Sequence, residues 1–197
     1  MGGFLYGENM KKIILASASP RRSELLKKHN IDFTVLVSSA DETNIGESPK
    51  QIAEANAYLK AKAVYDSLEN KENIIVIGAD TVVALGDTIY GKPKDKADAV
   101  NMLNTLSGKE HSVITGVAII KNENGEVEVL KPSEETFVKF KALTDEEIED
   151  YTNTNEPYDK AGSYAIQGEA GRFIFGIKGD LENVIGLPAG KIKKYLI

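Results

Sequence analysis

The sequence predicts an α/β protein with a mixed central sheet and two lobes around a cleft. Three observations carry this. Apolar runs at Lys11–Ala16, Phe33–Val37 and Ile74–Ile77 alternate with segments whose apolar residues recur at helical spacing. The alternating stretch His111–Ile120 pairs naturally with Val127–Phe140 across Asn122-Glu123-Asn124-Gly125, a long inserted hairpin. Finally, 197 residues with 42% hydrophobic content and no linker, repeat or low-complexity tract fit one large domain.

Taken in order, Lys11–Ala16 reads as a short buried strand. A helix follows it, with Ser19 as N-cap and Pro20 at the first helical position, where proline is best tolerated. Phe33–Val37 is a second strand. Ser48-Pro49-Lys50-Gln51 opens a second helix, and Ile52, Ala55, Leu59 and Ala63 form its apolar stripe. Ile74–Ile77 is a central strand ending in Gly78-Ala79-Asp80-Thr81, and Val82–Tyr90 is a hairpin turning at Gly86-Asp87. Asp95–Leu106 is helical. Thr144–Tyr151 is a short helix with a Thr-x-x-Glu capping box, Phe173–Ile177 is a last strand, and the segment after Pro188 is helical. Residues 1–9 read as an extension of unknown role before a single two-lobed domain over 10–197.

Composition excludes several classes. A net charge of −6 with dispersed basic residues argues against a duplex nucleic-acid binder. Apolar runs of only a few residues argue against a membrane span, and Met1–Met10 lacks the basic start and apolar core of a signal peptide. The absence of cysteine removes disulfides and zinc–thiolate sites and fits a cytoplasmic protein. His29 and His111 show no metal-ligand spacing.

The chemistry concentrates where elements end. Arg21 and Arg22 stand in the first turn of a helix, where cations oppose the helix dipole. An anion held jointly by the arginines and the first-turn N–H groups resolves that conflict. Asp80 follows a buried strand and Glu42 follows the second strand. Such carboxylates need a cation, a donor or a metal ion, and a converging pair makes an oxygen site suited to magnesium. Lys62 borders the apolar stripe of the second helix, and Lys92 sits on a stiff Gly-Lys-Pro turn; both suit neutralisation of phosphate. Gln167 can both donate to and accept from the edge of a base. Gly186–Lys191 is no P-loop, because its spacing is short and Ile192 stands where Ser or Thr is required. Ser17 and Ser19 lack the elbow and histidine of a serine nucleophile.

Together these segments resemble the Maf family of nucleoside triphosphate pyrophosphatases. The resemblance rests on Ser17-Ala18-Ser19-Pro20-Arg21-Arg22, Glu42, Lys62, Gly78-Ala79-Asp80-Thr81, Gly91-Lys92-Pro93, Thr115-Gly116-Val117, Glu156–Gly162, Gln167-Gly168 and Gly186-Leu187-Pro188. It implies a fold like that of the inosine triphosphate pyrophosphatases, commonly as a homodimer. It also implies cleavage of a nucleoside triphosphate between the α and β phosphates with Mg2+ or Mn2+. Asp80 then matches the catalytic acidic residue and Glu42, Lys62 and Lys92 the other charged site positions, with Glu42 and Asp80 on the metal. Ser17, Ser19, Arg21, Arg22 and Lys160 match substrate-binding positions. Arg21, Thr81 and Gln167 resemble the branch that acts on dTTP and UTP. Asp180-Leu181-Glu182-Asn183 departs from the family, which often carries an aromatic residue after the glycine at Gly179. A nucleotide-binding regulator of septum formation without catalysis is the alternative, and the acidic pair argues for the enzyme.

Overall fold

The computed structural model describes residues 11–43 and 46–196; the extension expected at residues 1–9 lies outside the described residues. The strands are β1 (Lys12–Leu15), β2 (Thr34–Val35), β3 (Ile74–Leu85), β4 (Thr88–Tyr90), β5 (Glu110–Glu123), β6 (Glu126–Leu130), β7 (Ser133–Phe140) and β8 (Ile174–Lys178). The helices are α1 (Pro20–Lys28), α2 (Pro49–Ser67), α3 (Lys96–Leu106), α4 (Asp145–Thr152), α5 (Leu181–Ile185) and α6 (Ala189–Ile192). One mixed sheet runs β2-β1-β3-β5-β7-β8, with β4 paired to β3 and β6 to β5. Pairing is parallel among β2, β1 and β3 and antiparallel elsewhere. No helix among the described residues is long and apolar enough to cross a membrane.

The two long strands carry both halves of the molecule. On one face of the first half, Leu15, Ile75, Ile77, Val117 and Ile119 pack against Leu25 and Leu26 of α1 and Ile192 of α6. On the other face, Ile14, Val76 and Ala118 pack against Ala57, Ala61 and Val64 of α2. In the second half, Val83, Val113, Val138 and Phe140 meet α3 and α4 through Leu103, Leu106, Ile148 and Tyr151. The expected mixed sheet is therefore observed.

Four local expectations are corrected. First, the strand from Ile74 does not stop before Gly78. It continues through Asp80 to Leu85, because β5 pairs with it unbroken from Ile74↔Asn122 to Ala84↔Ser112. Second, the return arm after the Asn124-Gly125 turn is two strands rather than one. They separate around Lys131-Pro132, where proline has no N–H to donate, and both pair with β5. Third, Ser19 occupies the N-cap of α1 but its side chain makes no capping bond.

The fourth correction concerns the phase of α2. Its buried residues are Ile52, Ala53, Asn56, Ala57, Ala61 and Val64, a face rotated from the expected stripe, and Leu59 is exposed. Two glycines on the sheet set this phase. A Cβ on Gly78 would overlap the carbonyl of Ala57, and one on Gly116 would overlap the backbone of Ala53. The helix thus lies directly on the β3–β5 pair, alanines against glycines, at a distance no larger residue allows.

Candidate functional site

The site opens where β3 loses its neighbours along one edge. β1 leaves it after Leu15↔Ile77, the last bond running from Ala16 N to Ile77 O at 2.8 Å. β4 joins the same edge only at Tyr90↔Val83. Between them, Asp80 to Val82 face a cleft of about 560 Å³. Its walls are the Ser17–Arg22 turn, Glu42 on the loop after β2, Asn56 and Lys60 of α2, Gly91-Lys92, and the segment from Asp159 to Gln167. Clefts at points where strands part are the usual ligand sites of α/β sheets.

Successive strand residues point to opposite faces. Asp80, 6% exposed, turns toward α2. Its Oδ2 accepts from Asn56 Nδ2 at 3.2 Å and its Oδ1 from Lys60 Nζ at 2.7 Å. The same ammonium donates to Glu42 Oε1 at 2.8 Å. The Lys60 hydrogen bond is the main reason the Glu42 carboxyl titrates below its ordinary range, with Lys92 and Arg22 adding to it. Asn56 also fixes the Glu42 loop, accepting from Thr43 N at 2.8 Å.

Thr81 turns the other way, toward Arg22 and Gly186. Arg22 Nε donates to Gly186 O at 2.8 Å, Nη1 to Ser17 Oγ at 3.0 Å and Nη2 to Thr81 Oγ1 at 3.3 Å. Burial lowers the pKa of Arg22, and the nearby Asp80 opposes that shift. Thr115 donates its hydroxyl to Asn183 O at 3.0 Å, so in the 2.9 Å contact between the two threonines Thr81 is the donor. Asn183, fully buried, accepts from Thr115 N and donates to Val113 O and Thr136 Oγ1.

The expected residues fall into three groups. Asp80, Glu42, Arg21, Arg22, Ser17, Ser19, Thr81, Lys92, Lys160 and Gln167 all line the cleft. Within it, the donors of Arg22 and the hydroxyl of Thr81 are engaged by the protein, Lys160 is paired with Asp159, and Ser17 Oγ accepts from Ser19 N at 3.2 Å. Lys62 does not line the cleft. It lies on the exposed face of α2, paired with Asp66 one turn on. The rotation of the helix explains this, since the phase that buries Ala53, Ala57 and Ala61 carries Lys60 to the cleft border and Lys62 to solvent. Lys60 and Asn56 are cleft-lining positions, both bonded to Asp80, that the stripe assignment missed; the signal for them lay in pairing α2 with Gly78 and Gly116.

Among the described residues no group of three or more His, Asp or Glu assembles a closed metal site. Asp80 and Glu42 offer oxygen donors only, joined through one ammonium. That donor set fits a hard divalent ion that takes its remaining ligands from substrate and water, and does not fit a protein-enclosed zinc.

Cations around the rim, a helix N-terminus and a carboxylate pair on one wall define an α/β protein equipped to hold a polyanion beside acidic residues. The chain belongs to the Maf family: the family model described as Maf-like protein matches residues 12–197. A dTTP/UTP pyrophosphatase of Clostridium botulinum (strain Okra) is 46% identical over 95% of this chain and 97% of its own length. A dTTP/UTP pyrophosphatase of Thermosipho africanus is 50% identical over 92% of this chain and 90% of its own. Among solved structures, the Ham1 protein of Staphylococcus aureus is 16% identical over 83% of this chain and 91% of that one, with a TM-score of 0.41.

Proposed function

We propose that this chain hydrolyses nucleoside triphosphates, dTTP and UTP foremost, to the monophosphate and pyrophosphate. The carrying observation is the carboxylate pair Asp80 and Glu42, held by the ammonium of Lys60 in a cleft rimmed by Arg21, Lys92 and Lys160. The names of its relatives, at 46% and 50% identity, support the substrates. Phosphoryl transfer asks mainly for positioning and charge neutralisation, and this cleft supplies both.

Asp80 orients the attacking water and takes its proton as the oxygen bonds to the α-phosphorus and the bond to the bridging α–β oxygen breaks. Lys60, Lys92 and Arg21 offset charge on the departing pyrophosphate. Arg22 holds the Ser17 turn and the Gly186 turn that ends α5 in place. Gln167 faces the base, where its amide can match one donor and one acceptor. Asp80 and Glu42 are the residues that hold Mg2+ or Mn2+, and the ion supplies Lewis-acid neutralisation of the triphosphate when bound. The family resemblance further supports a cytoplasmic homodimer that cleanses the nucleotide pool.

The test is pyrophosphate release from dTTP, UTP, CTP, GTP and ATP, with magnesium and after chelation. Preferential release from dTTP and UTP, abolished by chelation, is the expected result. Turnover of another base refutes the substrate assignment, and nucleotide binding without turnover replaces the enzyme by the regulator.

A further inference from the structure

Glu156 has no part in the chemistry above, yet its carboxylate accepts three hydrogen bonds beside the cleft. Oε1 accepts from the hydroxyl of Tyr151 at 3.0 Å and from Ala170 N at 3.3 Å, and Oε2 accepts from Glu169 N at 2.9 Å. Those amides begin the 3-10 turn Glu169–Phe173, which follows Gln167 and Gly168 directly. Gly168 lies so close to the carboxylate that a Cβ there would overlap it. Upstream, Tyr151 is fully buried on α4, its ring edge-to-face with Phe173 at 5.2 Å between centroids. Burial and the neighbouring Glu156 charge both raise the Tyr151 pKa, which keeps the phenol a donor.

Gln167 itself is exposed on the cleft wall and stands on a loop. A loop amide discriminates between bases only if its backbone is held, because selectivity through hydrogen bonds fails once the partner can drift. We propose that Glu156 is a positioning residue for base selectivity: its carboxylate clamps the Gly168–Ala170 backbone to the buried Tyr151 and thereby fixes Gln167 against the pyrimidine edge. This rests on the reading of Gln167 as the residue that faces the base. The clamp needs a group that only accepts. A Gln in its place turns an NH2 toward one of the N–H or O–H donors and opens part of the triad.

The experiment compares UTP and CTP, whose bases differ at C4, a carbonyl in uracil and an amino group in cytosine, and with it at N3, a donor in uracil and an acceptor in cytosine. The wild-type chain, Glu156→Gln, Gln167→Ala and the double variant are each assayed for kcat/KM by pyrophosphate release with magnesium. Amide exchange at Glu169 and Ala170 is followed in parallel. In Glu156→Gln the preference for UTP over CTP falls about tenfold, the order expected from losing one well-placed hydrogen bond. The loss comes mainly through KM, and exchange at the two amides accelerates. In the Gln167→Ala background, Glu156→Gln lowers the preference no further. If Gln167→Ala collapses the preference and Glu156→Gln preserves it, the clamp is refuted while the base reading stands. Equal loss of rate with both nucleotides, accompanied by a lower melting temperature, makes Glu156 merely structural and also refutes the clamp. If Gln167→Ala itself keeps the wild-type preference, the base reading fails and the clamp fails with it.

Discussion

The two faces of β3 at the cleft solve the same problem in opposite ways. Toward α2, the buried Asp80 is compensated by a long, flexible lysine that also serves Glu42. Toward α1 and α5, the cation Arg22 is compensated by neutral, fixed groups: a carbonyl and two hydroxyls, backed by the buried Asn183. An ammonium on four methylenes can yield its place to another cation without unfolding anything. A network anchored in backbone cannot. Under the proposed function the Asp80 face is the reactive one and the Thr81 face the frame that holds it.

The sharpest way to break this contrast is Asp80→Asn. Turnover should fall by about 10²-fold or more, the loss typical of a missing general base, with the melting midpoint nearly unchanged. Near-normal turnover would move the chemistry off this face. Asn183→Ala should do the reverse. It strands the buried Thr115 N–H and Val113 C=O, and urea unfolding should register a loss of about 3 kcal/mol. A loss below about 1 kcal/mol would mean that the frame is not built as described.

A third test concerns pH in the second half of the core. His111 is 2% exposed, bonded through Nε2 to Tyr164 Oη at 2.8 Å, and burial pushes its pKa down to about 4. Between the ordinary value of 6.5 and about 4, the unfolded chain binds a proton that the folded chain refuses. Stability is thus lost as pH falls through that window and levels off below it. From pH 7 to 4.5 the wild type should lose about 2 kcal/mol more than His111→Gln, measured by urea midpoints at both values. Equal losses would exclude a neutral buried histidine.

The smallest effects sharpen the α2 phase. Lys60→Ala should lower kcat/KM about tenfold, the order of one charge-assisted hydrogen bond, and Lys62→Ala should change it less than about twofold. The opposite ranking would restore the stripe as first read.

That pair of lysines also shows how far one sequence can be read. The charged residues at the ends of apolar runs were legible, because an acid or an arginine there has few innocent explanations, and Asp80, Glu42, Arg21, Arg22 and Lys92 all reach one cleft. The capping box of α4 was legible too, since Thr144 and Glu147 bond each other's backbone as expected. The face of α2 was not. Its alanines and tyrosines place apolar groups around much of the helix, so periodicity alone left the buried side open. What decides it is the absence of side chains on Gly78 and Gly116, a fact about the partner strands. Asn56 escaped notice, and Asn183 and Glu156 entered only as members of longer segments, for a related reason: each is an ordinary polar residue whose importance comes from what folding sets around it.

The open stretch of β3 between β1 and β4 has one more consequence. An unpaired sheet edge invites a strand from another molecule, the first step toward aggregation. Here the bare edge lies at the bottom of a concave cleft, with Arg21 and Lys92 among the groups around it. A second polypeptide cannot lie flat against it, whereas a short polyanion can enter. The geometry that admits a ligand therefore also keeps copies of the chain from zipping together.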